Sequence, residues 1–199
     1  MKTMLKTGYE KIMALFYTDK HAKIHLRDIA RRTGLNENSA SRFLIQLEEE
    51  NMLRSEKDGN LKKYMIQKNS KTYSVFMFFD MARYLELVSI RKKAVSYFLA
   101  NLKEKPIIAF LFGSTAKNTF TRDSDIDVLL IVNKIVNSDE AQKYAEAQTA
   151  IRINCIQITY DDFRLELKLK QDNVIQSALS TGYPLTNHIK FYEEYYESL

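Results

Sequence analysis

The stretch that decides the fold runs from Leu111 to Val132 and reads LFGSTAKNTFTRDSDIDVLLIV. An apolar run that ends at Phe112 predicts one buried strand, and a second run, Val128 to Val132, predicts another. Gly113 and Ser114 end the first run. Glycine lets the main chain approach a phosphate closely, and serine adds a hydroxyl and an N–H group. The first strand therefore leads into a turn that suits a phosphate.

Two aspartates open the second strand. Asp125 and Asp127 flank Ile126, and alternation along a strand places both carboxylates on one face. Two neighbouring carboxylates repel each other unless a cation lies between them, and hard oxygen ligands favour Mg²⁺, which also binds substrate phosphates. The stretch therefore predicts a nucleotidyl-transfer site. The alternative, a solvated hairpin with surface aspartates, explains poorly why Asp123 also crowds the start of an apolar strand.

The pattern resembles the DNA polymerase β nucleotidyltransferase superfamily, in which a strand, Gly-Ser and Asp-x-Asp on a second strand follow at this spacing. The form Ser124 to Asp127 is most similar to the minimal, prokaryotic-type nucleotidyltransferases, and the resemblance covers about Pro106 to Asn187. It implies a nucleotide triphosphate as ligand and Mg²⁺ (or Mn²⁺) as cofactor. The implied residues are Gly113, Ser114, Lys117 and Ser124 for the nucleotide, and Asp125 and Asp127 for the metal and catalysis.

The resemblance also implies a third carboxylate, on a later strand, that activates the attacking hydroxyl. We expect that strand at Ala150 to Thr159, and its interior holds Asn154 and Gln157 instead of an acid. Asp161 and Asp162 follow its end, where acidic residues favour the start of a helix. The general base is therefore missing from the expected place, which leaves open whether the chain is an enzyme.

The basic charge of the chain is concentrated in its first third. Residues 1–71 carry 15 Lys/Arg and 9 Asp/Glu, a net charge of +6, whereas residues 72–199 carry 15 and 16, a net charge of −1. A basic segment beside a neutral remainder predicts a module that binds a polyanion.

The same basic segment has the pattern of a winged helix-turn-helix. The predicted elements are a first helix with Leu5, Tyr9, Ile12 and Phe16 on one face, a helix over His25–Arg32, a turn at Gly34, a helix from the N-cap Asn36 to about Glu50 that ends at Asn51, and strands Met52–Glu56 and Lys62–Ile66. The segment closely resembles the DNA-binding domain of many prokaryotic winged-helix regulators.

This resemblance implies double-stranded DNA as a partner. The helix after Asn36 is then the recognition helix, and the wing lies against phosphates. The implied DNA-binding residues are Asn38, Ser39, Ser41 and Arg42 on the helix, and Arg54, Lys57, Lys62 and Lys63 on the wing. The alternative is a winged helix that serves only protein contacts, since Glu37 and the acidic run that ends at Glu50 offset part of the charge.

The segment from Lys71 to Lys105 contains neither proline nor glycine and predicts one long or broken helix. Its aromatic run Tyr73–Phe79 is too apolar for a solvated linker, so we expect it to pack on the winged helix or in a homodimer. Pro106 prevents the helix from continuing. The predicted domains are 1–71, a winged helix-turn-helix; 72–105, a linking or dimerisation helix; and 106–199, a nucleotidyltransferase domain with a mixed sheet, which makes the fold class α+β.

The composition excludes several other classes of protein. Cys155 is the only cysteine, so no disulfide forms within the chain. No apolar stretch has the length of a membrane span, and the N-terminus is unlike a signal peptide. We therefore expect a cytoplasmic protein with no membrane contact.

Three functions remain open on the sequence. The first is metal-dependent transfer of a nucleoside monophosphate from a nucleotide triphosphate to an acceptor hydroxyl. The second is a winged-helix transcriptional regulator whose nucleotidyltransferase domain is weak or inactive and senses nucleotide or binds a partner; Asn154 favours it. The third is one half of a two-component system with a small helical partner protein.

Overall fold

The structure is a computed structural model that describes residues 7–198 of the chain. These residues form two compact units that divide between Phe79 and Asp80. Within the described range, no helix is long and apolar enough to cross a membrane. Helices precede and follow two separate sheets, which confirms the predicted α+β class.

Over the described residues, the first unit contains three complete helices, a small sheet and the first part of a fourth helix. Its elements are α1 (Thr7–Thr18), β1 (Ile24–His25), α2 (Leu26–Thr33), α3 (Glu37–Glu49), β2 (Leu53–Asp58), β3 (Leu61–Ile66) and the first part of α4 (Ser70–Glu86).

The helix-turn-helix forms because its turn residues suit the conformations that the main chain needs there. Gly34 ends α2 with φ +68°, a left-handed conformation that favours glycine. The side chain of Asn36 accepts a hydrogen bond of 2.8 Å from the Ser39 N–H and so caps α3. Asn51 follows α3 with φ +60°. These three predictions are confirmed, while Leu5 lies outside the described residues.

The wing differs from its prediction in length and in strand number. β2 and β3 pair up to Asp58 and Leu61, so Lys57 lies on a strand and the turn is only Gly59-Asn60. A two-residue turn with glycine at positive φ matches the twist of a hairpin. β1 adds a third strand beside β3, in the order β1-β3-β2. Two residues are too short to show alternation, so the sequence pattern did not reveal β1.

The predicted linking helix is two helices in the structure. α4 ends at Glu86, and α5 (Ser89–Ala100) begins after Val88, whose φ of −58° and ψ of 141° are not helical. The helix is therefore broken, which was one of the two predicted forms.

The aromatic run of α4 packs inside the first unit. The ring centroid of Tyr17, on α1, lies 5.6 Å from that of Phe76 and 5.1 Å from that of Phe79. Phe76 is fully buried. Of the two predicted places for this run, packing on the winged helix is the one that the structure shows.

The second unit is built on a four-stranded sheet. Its elements after α5 are β4 (Ile108–Phe112), α6 (Gly113–Ala116), β5 (Ile126–Val132), α7 (Asp139–Thr149), β6 (Ile153–Thr159), α8 (Tyr160–Leu169), α9 (Asn173–Thr181), β7 (Tyr183–Pro184) and α10 (His188–Glu197).

The strand order β6-β5-β4-β7 makes this a mixed sheet, as predicted. β4 runs antiparallel to both β5 and β7, whereas β5 and β6 are parallel. Parallel strands need a crossover connection, which α7 provides. All residues of β4 are buried. Ala109 and Leu111 share one core with apolar side chains of α5 and α7, and on the other face Phe110 packs against Phe191 of α10.

Candidate functional site

Gly113 is the residue at which the first strand turns toward the site. Its φ is +69°, and a Cβ built on it would lie 2.1 Å from Oδ2 of Asp127. Both the left-handed conformation and the close carboxylate require glycine. The structure therefore brings together the predicted phosphate turn and one carboxylate of the predicted pair.

The register of the sheet puts Asp127 at the meeting point of three strands. Asp127 pairs with Phe112 of β4 on one side and with Asn154 of β6 on the other. Its neighbours Ile126 and Val128 are fully buried, so alternation turns the aspartate to the opposite face of β5. Asp125 directly precedes β5 and is half-buried. The same alternation assigns it to the face of Asp127.

Asn154 occupies the place next to Asp127 in which the sequence led us to look for a third carboxylate. Its Nδ2 donates a hydrogen bond of 3.0 Å to Oδ1 of Asp127. Asp161 and Asp162 instead lie in the first turn of α8, and Thr159 caps that helix by accepting from the Asp162 N–H. Across residues 7–198, no group of three or more His, Cys, Asp or Glu side chains is arranged to hold a metal.

The residues present nevertheless fit a small divalent cation. Carboxylate oxygens are the donors that Mg²⁺ and Mn²⁺ prefer, and such ions retain several waters and share phosphate oxygens of a substrate. Asp125 and Asp127 are two such donors beside a turn that suits phosphate. The protein offers two carboxylates at this place, with an amide beside them.

The structure gives the other predicted nucleotide-binding residues different surroundings. Ser114 is half-buried in the single turn of α6. Lys117 is exposed at the end of that turn, and no hydrogen bond or ion pair occupies its ammonium group within the described residues. The Ser124 hydroxyl accepts a hydrogen bond of 2.9 Å from the Thr121 N–H, so its present role is to close the turn before Asp125.

Arg91, on α5, belongs to the surroundings of the site and was missed on the sequence. It is only 2% exposed, and its guanidinium donates to the carbonyl groups of Thr121 and Ser124. The sequence could have indicated its burial through spacing, because Arg91 lies four residues after Leu87 and four before Val95, both of which are buried. A charged residue within an apolar helix stripe indicates a buried partner.

The predicted DNA-binding residues of α3 are accessible to different degrees. Asn38 and Arg42 are exposed, whereas Ser39 and Ser41 are half-buried. The main-chain N–H of Ser39 is bound to the cap residue Asn36. Asn38 and Arg42 are therefore the residues of α3 best placed to reach a ligand.

The predicted basic residues of the wing lie on two faces. Lys57 and Lys62 are directly opposite each other on β2 and β3, and both are exposed. Arg54 and Lys63 belong to the other face by alternation. Nζ of Lys63 lies 2.7 Å from Oδ2 of Asp58, and this contact lowers the pKa of the aspartate. Lys63 is thus already paired.

Comparison with known families agrees with this geometry. Residues 91–182 match the model of the family described as nucleotidyltransferase domain. The second unit carries a nucleotidyltransferase domain. Residues 12–57 match the model described as IclR helix-turn-helix domain, so the nucleotidyltransferase domain follows a helix-turn-helix domain in this chain.

Whole-chain comparisons add little to these two matches. No curated protein matches the chain. Among solved structures, the chain is similar to AF1382 from Archaeoglobus fulgidus, known from a high-resolution crystal structure, with 16% sequence identity and a TM-score of 0.37. That similarity covers 43% of this chain and 94% of the other.

We expect Gly113→Ala to destabilise the second unit because the new methyl group meets the carboxylate of Asp127. The left-handed conformation alone costs a residue other than glycine about 1–2 kcal/mol, and the clash adds to this. Urea unfolding of Gly113→Ala, Asp127→Ala and the double variant forms a double-mutant cycle. The cycle separates the cost of the left-handed conformation from the cost of the clash. Gly113→Ala should cost about 1 kcal/mol less in the Asp127→Ala background. Equal costs in both backgrounds would contradict the contact.

Proposed function

We propose that the second unit binds a nucleotide triphosphate together with Mg²⁺ or Mn²⁺, and that the first unit binds double-stranded DNA. The observation that carries the nucleotide half is the contact between the Asp127 carboxylate and the Gly113 turn. A carboxylate held against a glycine turn brings a metal ligand and a phosphate-binding main chain to one point.

Each residue of the site has a separate task in this proposal. Gly113 and Ser114 approach the phosphates with main-chain and hydroxyl groups. Asp125 and Asp127 hold the cation, which when bound offsets the negative charge of the phosphates and polarises them. Lys117, with its exposed ammonium group, is available to a terminal phosphate.

Asn154 favours a second candidate for the role of the bound nucleotide. An amide does not accept a proton from an attacking hydroxyl, and this amide already donates to Asp127. General-base catalysis typically contributes about 10²–10⁴-fold to a rate, so its absence leaves transfer to an acceptor hydroxyl slow. The nucleotide then acts as a signal rather than a reactant, and the protein is a DNA-binding regulator that senses nucleotide.

The nucleotide site is tested by replacing both aspartates. Asp125→Asn with Asp127→Asn should abolish metal-dependent binding of nucleoside triphosphates in calorimetry, because neutral amides no longer hold the cation. The fold should remain, because both substitutions keep the size of the side chain and the side-chain oxygen at position 127 can still accept from Asn154. Asp123→Asn is the matched control, since Asp123 is an exposed acid of the same loop. Equal affinity in the wild type and the double variant would exclude the site.

The DNA half of the proposal rests on charge and on the exposed faces of α3 and the wing. The segment of residues 1–71 has a net charge of +6. Arg42, on α3, suits a guanine edge or a phosphate, and Asn38 suits adenine. Lys57 and Lys62 supply two neighbouring cations on one face of the wing. This arrangement supports phosphate contacts from the wing and base contacts from α3.

We expect Lys57→Ala with Lys62→Ala to weaken binding to every duplex and to flatten its salt dependence. Each lost phosphate contact should reduce the logarithmic salt slope by about 0.9. Lys63→Ala is the control on the same hairpin, and it should change the slope less because Lys63 pairs with Asp58. Fluorescence anisotropy with a labelled duplex measures both effects. Binding of the wild type that does not depend on salt would contradict DNA recognition by this face.

The predicted homodimer remains part of the proposal. Four apolar side chains of the segment 81–90 are exposed, namely Met81, Leu85, Val88 and Ile90. Exposed apolar clusters commonly mark protein contacts, which supports a second copy or a small helical protein as the partner of this segment.

A further inference from the structure

Arg91 is the largest charged side chain buried in the second unit. Its guanidinium donates hydrogen bonds of 2.8 Å to the Thr115 hydroxyl, 3.1 Å to the Thr121 carbonyl and 2.7 Å to the Ser124 carbonyl. A longer contact of 3.4 Å reaches the carbonyl of Asp125. These four acceptors belong to two different segments of the candidate nucleotide site.

The two segments that Arg91 joins carry different parts of the site. Thr115 lies in α6, the turn that begins with Gly113 and Ser114. Thr121 and Ser124 lie in the loop 117–125, which has no strand or helix of its own and ends at the metal-binding Asp125. Within the loop, Thr121 and Ser124 are bonded mainly to each other. The guanidinium therefore ties the loop to the phosphate turn.

The ring of Phe120 completes this arrangement. The guanidinium carbon of Arg91 lies 4.0 Å from the centre of that ring, a distance at which a cation is attracted to the aromatic face. Phe120 belongs to the same loop, so the loop is held by stacking as well as by hydrogen bonds.

Arg91 carries its positive charge into the interior of the second unit. Within the described residues, none of its hydrogen-bond acceptors is a carboxylate, and burial of an unpaired cation is costly. Burial lowers the pKa of Arg91, and the negative charge of Asp125 acts in the opposite direction. Several N–H donors on one planar group can satisfy a set of carbonyls that no apolar side chain could satisfy. The guanidinium therefore holds the loop 117–125 through the carbonyls of Thr121 and Ser124.

We propose that Arg91 is a positioning residue of the nucleotide site: it fixes Asp125 relative to Gly113 and Ser114, so that metal and phosphates are bound at one point. The inference rests on the proposed nucleotide function. Arg91 touches neither ligand. It acts through the main chain of the loop, and its buried charge partly offsets the negative charge of Asp125.

Arg91→Met and Arg91→Lys test this role against a matched arginine. Arg83→Met is the comparison, because Arg83 also donates to two main-chain carbonyls of the second unit, those of Ala116 at the end of α6 and of Thr181, and stacks on the ring of Tyr183. It therefore holds the phosphate turn as Arg91 does, but its acceptors do not belong to the loop 117–125. Two quantities are measured for each variant: the hydrogen exchange of the Thr121 and Ser124 amides without ligand, and the calorimetric affinity for ATP with Mn²⁺.

Arg91→Met should speed exchange of both amides and weaken ATP–Mn²⁺ binding by about tenfold, because the loop that carries Asp125 is no longer held in its binding position. Arg91→Lys should recover part of the protection from exchange and part of the affinity. A lysine keeps the positive charge but lacks the planar set of N–H donors of the guanidinium. Arg83→Met should leave exchange of the Thr121 and Ser124 amides unchanged and should weaken binding less than Arg91→Met, because it releases the end of α6 but not the loop.

Two outcomes separate the failure of this inference from the failure of the proposed function. If the wild type does not bind ATP with Mn²⁺ or any other nucleoside triphosphate, the nucleotide function falls, and the role of Arg91 falls with it. If the wild type binds but either Arg91 variant keeps wild-type affinity and exchange, or Arg83→Met loses as much affinity as Arg91→Met, only the inference about Arg91 is overturned. Should Arg91→Met not fold, Arg91→Lys still decides between these outcomes.

Discussion

The approach of the Asp127 carboxylate to the main chain of Gly113 is the contact on which the proposed nucleotide site depends. It is set by the antiparallel register of β4 and β5, which puts Asp127 opposite Phe112. That register is in turn fixed by apolar burial, since a slip of one residue would turn every side chain of β5 to the wrong face. The buried core of the sheet thus determines where the carboxylate lies, and glycine is what allows it to lie there.

The pairing of β5 with β6 determines what the site can do. It brings Asn154 beside Asp127, where a neutral amide donates to the carboxylate instead of repelling it. An amide at this place stabilises the site without a cation, whereas a carboxylate would hold the cation more tightly and take up a proton. In the proposed function, stability of the metal-free protein and the rate of nucleotidyl transfer would therefore oppose each other at Asn154.

The sequence revealed those parts of the protein that depend on local chemistry. Gly34, Asn36 and Gly113 stand where a turn or cap demands their residue type, and Asp127 belongs to a strand pattern that can be read directly. The sequence also put Asn154 on the right strand. The features that it did not reveal depend on contacts between distant parts of the chain, which no spacing records.

Arg91 is the clearest of these cases, because its acceptors lie between 24 and 34 residues away along the chain. The short strand β1 was missed because two residues have no period, and the pairing of Lys63 with Asp58 emerges only from the register of the wing. The candidate residues of the proposed site were chosen from the sequence, whereas the side chain that holds its loop in place emerges only from the structure.

We propose, above all, that the nucleotidyltransferase domain binds a metal–nucleotide complex but lacks a proton acceptor beside Asp127. Pyrophosphate release from labelled nucleoside triphosphates with Mn²⁺, with water as the acceptor of the nucleotidyl group, compared between the wild type and Asn154→Asp, tests this proposal most directly. We expect little release by the wild type and an increase of about 10² or more in the variant, with a small change in nucleotide affinity. Rapid release by the wild type that Asn154→Asp does not raise would contradict the proposal.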